Sequence, residues 1–244
     1  DSGSKELLLT SQDNGAFGAD SNSSLELLLG ELSHLEGDFR LRVGMLNPML
    51  VSGRSDSMAK AWGDSRTYKF MHLPIQSGSQ KMLDAMLRDH ILEDFWEVVE
   101  TFRSYYPEIM ITTDIITGFP GETDEDHHAT IELLHRLLPD LVNITRFSPR
   151  QGTPAARYKR LNGKIVKNRS RELTILRKYL GAKSFKRFVG RKISVLAVEN
   201  QRPGSTLCRD NNYRPIIVKN ELPLGEFYDV EIVDSEYAFL TAIS

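Results

Sequence analysis

Ile109 to Phe147 reads IMITTDIITGFPGETDEDHHATIELLHRLLPDLVNITRF, which spells out one strand–helix–strand unit. Ile109 to Ile116 is a β-branched apolar run, and Gly118-Phe-Pro-Gly121-Glu122 interrupts it. Thr123 then offers its hydroxyl as an N-cap to a helix over Asp124 to Leu138. The acids of that helix's first turn suit the positive end of the helix dipole. Leu141 to Phe147 is a second apolar run. Two strands joined by a crossover helix lie parallel, and the crossover is right-handed.

Working outward, the same order repeats. Upstream, Glu6 to Thr10, Phe39 to Leu46 and Tyr68 to Ile75 read as strands. Helical spacing marks Leu25 to Leu35, Met58 to Trp62, Lys81 to Leu87 and Asp94 to Tyr106. Asn47-Pro48 is a stop signal after the second strand. The order predicts an α/β chain whose residues 1–150 form an open, partial parallel barrel. Ligands of such sheets bind at the carboxyl ends of the strands. Those ends are Thr10-Ser11-Gln12-Asp13, Met45 to Pro48, Pro74 to Ser77, Asp114 to Pro120 and Phe147 to Arg150, and polar groups gather at all of them.

Downstream the pattern changes. Residues 151–190 read as a basic helical connector, with a helix over Val166 to Tyr179 that Gly181 helps to end. Residues 191–244 are rich in short strands, namely Ile193 to Val198, Tyr213 to Val218, Phe227 to Val233 and Tyr237 to Ala242, and suggest a small all-β barrel. The net charge of −2 conceals a division, because Arg150 to Arg191 holds 14 basic residues and one acid, leaving 17 basic against 32 acidic residues elsewhere. A basic segment on an acidic body points to a polyanion-facing surface, with a solvated helix as the plainer reading.

The 244 residues, 40% hydrophobic and 26% charged, read as soluble and globular. No apolar run approaches the roughly 20 residues of a membrane span, and the first residues lack the marks of a signal peptide. Without an initiator Met, Asp1 is expected to lie partway through a longer gene product. The single cysteine, Cys208, rules out an intrachain disulfide framework and a cysteine-built metal site in this chain, and reads as a buried apolar residue. Six histidines show no metal-ligand spacing, so no metal ligand is assigned. Ser11, Ser77 and Ser148 fall outside any G-x-S-x-G elbow, which speaks against a hydrolase. Gly118 to Glu122 matches neither a Walker A loop nor a dinucleotide fingerprint. Asp114 inside an apolar strand either bonds loop amides or reaches a ligand, and His72 reads as a satisfied core histidine.

Five segments read in order are far more specific than any one alone. They are LTSQDNGAFGAD (Leu9 to Asp20), RVGMLNP (Arg42 to Pro48), HLPIQSGSQKMLDAM (His72 to Met86), TDIITGFPGETDED (Thr113 to Asp126) and FSPRQGTPAA (Phe147 to Ala156). Together they closely resemble the radical S-adenosylmethionine methylthiotransferases with a C-terminal TRAM domain. The downstream stretches resemble the archaeal and eukaryotic branch, which acts on N6-threonylcarbamoyladenosine beside the tRNA anticodon. Gln151 and His127-His128 depart from the usual pattern.

The resemblance implies a radical SAM partial barrel followed by a TRAM-like RNA-binding barrel, and an enzyme converting the nucleoside to its 2-methylthio form. It implies an S-adenosylmethionine site built from Thr10, Ser11, Gln12, Asp13, Asn47, Gln76, Ser77, Asp114, Phe147 and Ser148. It also implies [4Fe–4S] clusters in the intact protein, with their cysteines and the barrel's first strand upstream of Asp1, so no residue here is assigned a catalytic role. The segment alone is then expected to be inactive, and less stable than the full chain because a strand edge is bare. Arg150, Arg157, Lys159, Arg160, Lys164, Lys167, Arg169 and Arg171 are the expected RNA contacts. The implied partners are tRNA, an electron donor and a sulfur source, in the cytoplasm. The isopentenyladenosine and ribosomal-protein branches, a non-catalytic RNA-binding module, and a different radical enzyme with a diverged barrel remain as alternatives.

Overall fold

A computed structural model describes residues 3–244, so positions 1–2 of the expected N-terminal unit lie outside the described residues. Strand β1 (Glu6–Leu9) pairs in parallel with β2 (Arg40–Val43), Glu6 opposite Arg40 and Leu9 opposite Val43. Strands β3 (Phe70–His72), β4 (Met110–Thr117) and β5 (Leu141–Arg146) form a second parallel set. Parallel bridges Leu41–Thr67 and Met45–His72 join the sets, giving one open sheet in chain order.

The helices lie where capping and periodicity put them. Ser24 accepts from Leu27 N at the start of α1 (Leu25–Ser33). Asn47 caps α2 (Pro48–Val51), so Asn47-Pro48 stops the strand and starts a helix with Pro in its first turn. Then follow α3 (Ser55–Ala61), α4 (Gln80–Ala85) and α5 (Leu92–Tyr105). Helix α6 (Asp124–Leu137) opens with a reciprocal capping box between Thr123 and Asp126. Leu41, Val43, Ile111, Ile115 and Val142 from the strands meet Leu25, Trp62, Phe95, Phe102 and Leu134 from the helices in one core.

Helix α7 (Gly163–Lys186) runs 24 residues, well beyond the expected Val166 to Tyr179, and passes straight through Gly181. Its Leu173, Leu176 and Leu180 belong to the same core as the sheet. Gly181 serves contact rather than termination, because the carbonyl of Tyr237 lies where a Cβ would be. The helix therefore covers the outer face of the sheet as well as leading into the second barrel.

That barrel is closed, with strand order β10-β8-β7-β6-β9. Its strands are β6 (Lys192–Arg202), β7 (Ser205–Arg209), β8 (Pro215–Val218), β9 (Phe227–Ser235) and β10 (Leu240–Ile243). The sequence reading passed over β7, which follows the Pro203-Gly204 turn, and carried a strand through Tyr213, which sits in a left-handed turn at φ 66°. Tyr68, Phe70 and Met110, from the amino ends of β3 and β4, share a core with Val195, Cys208, Ile216 and Val230 of the barrel. Asn212 Nδ2 and Arg214 Nη2 donate to the Glu108 carbonyl at 2.7 and 2.6 Å. The small barrel thus seals the amino-terminal end of the open sheet and leaves the carboxyl end accessible.

Candidate functional site

At the carboxyl end of β1, Thr10, Ser11 and Gln12 are exposed. Asp13 is committed to structure: its Oδ1 accepts from Gly15 N at 2.9 Å and from Asn47 N at 3.2 Å. Asn47 Oδ1 in turn accepts from Met49 N. The Asp13 side chain thus ties the β1 loop to the β2 loop, and Asn47 caps the helix that follows. Thr10, Ser11 and Asp13 line a groove of about 590 Å³ with Phe17 and Leu28.

The β3 end is more strained. Gln76 is buried at φ 73°, a sparsely populated region for a residue with a side chain. Its backbone holds this shape because Gln76 N donates to Asp114 O and Ile116 N donates to Gln76 O. Ser77 is buried too, with its Oγ accepting from Ser79 N and lying 3.4 Å from Thr130 Oγ1. Its hydroxyl faces α6 rather than the mouth of the sheet.

On the concave face, β3, β4 and β5 present His72, Asp114 and Asn143 side by side. His72 Nε2 lies 3.0 Å from Asp114 Oδ1, and Asn143 Nδ2 donates to the same oxygen at 2.8 Å. Burial pushes the Asp114 carboxyl up, but these two hydrogen bonds outweigh it and hold the group below its ordinary range. Strand alternation puts Thr112 and Ile116 on the same face as Asp114. Thr112 Oγ1 is buried there without a hydrogen-bond partner. The pairing satisfies His72, as read, and ties Asp114 to two side chains rather than to loop amides. Asn143 was missed, although its alternation with Thr145 in LVNITR carried the signal.

Phe147 and Ser148 line a second cleft, of about 440 Å³, at the ends of β4 and β5. Its floor includes Ile116, Phe119 and Phe147, the two phenyl rings meeting edge to face at 4.8 Å. The ten expected cofactor residues therefore divide: two clefts take Thr10, Ser11, Asp13, Phe147 and Ser148, Asp114 lies on the sheet face beside His72, and Gln12 is exposed outside both clefts. Asn47, Gln76 and Ser77 act on loop shape.

The donor set of aromatic floor, exposed hydroxyls, orphaned Thr112 hydroxyl and concave carboxylate fits a polar nucleoside cofactor. It does not fit an iron–sulfur cluster. Among the described residues no group of His, Cys, Asp and Glu could hold a metal ion. Cys208 is buried inside the small barrel, and that burial pushes its thiol up to about 11. No helix is long and apolar enough to cross a membrane among the described residues.

Of the eight expected RNA contacts, Arg150, Arg157, Lys159, Arg160, Lys164, Lys167 and Arg171 are exposed, consistent with a polyanion-facing strip. Arg169 is not on that strip. It is buried, with Nη1 2.7 Å from Glu122 Oε2 and Nη2 2.7 Å from Asp124 Oδ1. Helical periodicity turned this one basic residue inward, toward the Gly118–Glu122 loop.

The model of the radical SAM superfamily matches residues 16–134, and that of the TRAM domain matches residues 186–243. A protein of Archaeoglobus fulgidus named "Probable threonylcarbamoyladenosine tRNA methylthiotransferase" is 44% identical over 239 residues, 98% of this chain and 56% of that one. The human threonylcarbamoyladenosine tRNA methylthiotransferase is 34% identical, over 96% of this chain and 41% of its own length. The chain thus spans about half the length of the curated relatives it matches. Among solved structures, the radical SAM enzyme coproporphyrinogen III oxidase from Escherichia coli aligns with a TM-score of 0.55 at 16% identity, over 77% of this chain and 42% of that one, a likeness of fold alone.

Proposed function

We propose, from the match of residues 16–134 to the radical SAM superfamily and of residues 186–243 to the TRAM domain, that the intact protein is a tRNA methylthiotransferase. Its substrate in this reading is N6-threonylcarbamoyladenosine beside the anticodon, which becomes the 2-methylthio derivative. One observation carries the proposal: identity to relatives bearing that name runs through the open sheet and the small barrel alike.

Bound S-adenosylmethionine supplies the radical precursor for hydrogen removal at adenosine C2. The chain's own residues bind, orient and shield. Thr10, Ser11 and Gln12 meet the cofactor's methionine end, while Asp13 and Asn47 fix the loops that carry them. Asp114, whose Oδ1 is bonded by His72 and Asn143, would offer its other carboxylate oxygen to the cofactor. Phe147 and Ser148 flank the nucleoside end, and Gln76 and Ser77 shape the β3 loop beside it. Because the described residues offer no cluster ligands, we assign those to the part of the protein outside this chain, and the chain alone is inactive.

The exposed basic strip from Arg157 to Arg171, without Arg169, neutralises tRNA phosphates together with the TRAM barrel, and Arg150 stands where that strip meets the cleft at the end of β5. An electron donor and a sulfur source complete the partners, and the enzyme works in the cytoplasm. The test is mass spectrometry of tRNA nucleosides from cells with and without the intact gene. Loss of the 2-methylthio nucleoside with accumulation of its unthiolated precursor supports the reading. An unchanged profile overturns it.

A further inference from the structure

The cleft at the carboxyl ends of β4 and β5 has an unbalanced lining. Its floor is apolar and aromatic, from Ile116, Phe119 and Phe147, while Arg88, Arg146 and Arg150 stand around it. No Asp or Glu lines the cleft among the described residues. None of these three guanidinium groups makes a hydrogen bond or ion pair among the described residues. Where an arginine does meet a carboxylate in this chain the pair is close, as in Arg54 with Glu26, Arg66 with Asp64, Arg169 with Glu122 and Arg214 with Asp210. Three exposed guanidinium groups around one cleft, without a carboxylate in its lining, give it a positive field. A guanidinium is a planar donor fork that matches an oxyanion, and an aromatic floor takes the face of a base.

We propose that this cleft recognises the target base through a carboxylate on its N6 substituent, with Arg88, Arg146 and Arg150 supplying the counter-charge. The inference rests on the methylthiotransferase reading above, and it names the feature of the substrate that the protein selects. Thr145, Ser148 and Tyr158 add hydroxyls to the same lining for the neutral polar atoms of such a substituent. Phe147 and Ser148, assigned above to the cofactor, form the edge this cleft shares with it, and Ile116 and Phe119 supply the remaining floor for the base. The same oxyanion chemistry has a second source in any RNA, the backbone phosphate, and the experiment separates the two.

The full-length protein is titrated with two anticodon stem-loops that differ at one position. One bears N6-threonylcarbamoyladenosine, and the other bears the same nucleoside with its carboxylate converted to a primary amide. Binding is read by fluorescence anisotropy. The wild type is expected to bind the acid about 10- to 100-fold more tightly than the amide, the range of a charge-assisted hydrogen bond. In Arg146→Met and Arg150→Met that ratio falls toward one, and Arg146→Lys keeps part of it. Arg136→Ala, which removes an exposed arginine of α6 outside the cleft, keeps the full ratio. Thermal melts establish that each variant is folded, and the lysine variant retains the charge if a methionine variant is not. An undiminished ratio in the methionine variants overturns the proposal. So does equal weakening of both loops, which assigns the arginines to phosphates. Binding needs no turnover: acid-selective binding without any 2-methylthio product sinks the enzymatic reading and leaves the carboxylate site standing.

Discussion

Arg169 of α7 and Glu122 of the Gly118–Glu122 loop form a buried ion pair at 2.7 Å, and the same carboxylate oxygen accepts from Gly118 N at 2.8 Å. One side chain thus fixes the glycine turn at the end of β4 and fastens α7 over it. Removing one partner of such a pair strands a buried charge, which costs about 3–5 kcal/mol. Arg169→Met is expected to lower the unfolding free energy extrapolated from urea melts by that amount. Arg169→Met with Glu122→Leu should recover part of the loss. A melt unchanged in Arg169→Met would return the residue to the RNA-facing set.

Asp114 is the acceptor that organises the concave face. Asp114→Ala leaves the His72 and Asn143 donors with water, a loss of about 1–2 kcal/mol on a half-exposed surface. In the full-length protein the same variant should weaken S-adenosylmethionine binding about 10-fold by equilibrium dialysis, with the cluster's visible absorption retained. Unaltered cofactor affinity would confine Asp114 to a structural role.

Which parts of this were legible in the sequence follows from the range of the forces involved. The β–α order, the N-cap at Thr123 and the turn at Gly118 are local, and they stand as read. Arg169 and Gly181 were misjudged because their roles depend on partners far away in sequence, Glu122 and the Tyr237 carbonyl. The His72, Asp114 and Asn143 cluster needs the parallel register of three strands, Asp114 opposite Asn143 among its pairs. Alternation within one strand does not show it. Asp13, Asn47 and Ser77 were placed in the right loops, but their polar atoms are taken up by those loops.

Cys208 is fully buried in the small barrel, and that burial pushes its thiol up to about 11. The nucleophilic species is the thiolate, so the native protein at pH 8 should resist iodoacetamide. Labelling is expected to follow global unfolding and to become quantitative in denaturant. Rapid labelling of the folded protein would show that the barrel opens locally.

Asp126 sits at the third position of α6, bonded to Thr123, Ser79 and Lys81. Burial pushes its carboxyl up, but the bonds from Lys81, Ser79 and Thr123 outweigh this and hold it well below 3.8. A carboxyl depressed in the folded state stabilises fully above its unfolded value, and that contribution fades as pH falls below it. Urea melts should therefore lose stability from about pH 4 downward, by up to about 1.4 kcal/mol per pH unit from this one group. Asp126→Asn should cost about 1–3 kcal/mol at pH 7 and flatten that acid limb. A wild-type acid limb that persists unchanged in the variant would assign it to other carboxyls.

Gly30 and Gly181 both lie inside helices, α1 and α7, yet the same substitution should act on them with opposite signs. In a free helix face, alanine in place of glycine stabilises by about 0.5–1 kcal/mol, because the unfolded chain loses freedom. A Cβ at Gly30 meets nothing within 4 Å, so Gly30→Ala should raise the melting temperature. At Gly181 a Cβ would fall on the Tyr237 carbonyl oxygen, with the Asp140 carbonyl 3.3 Å away. Both are backbone atoms and cannot swing aside. Gly181→Ala must push the loop before β10 off the helix, at a cost of about 1–3 kcal/mol for an overpacked contact. Paired melts of the two variants read the outcome directly. Stabilisation at both sites would show that the contact between α7 and the small barrel is loose, and the sealed amino-terminal end of the sheet with it.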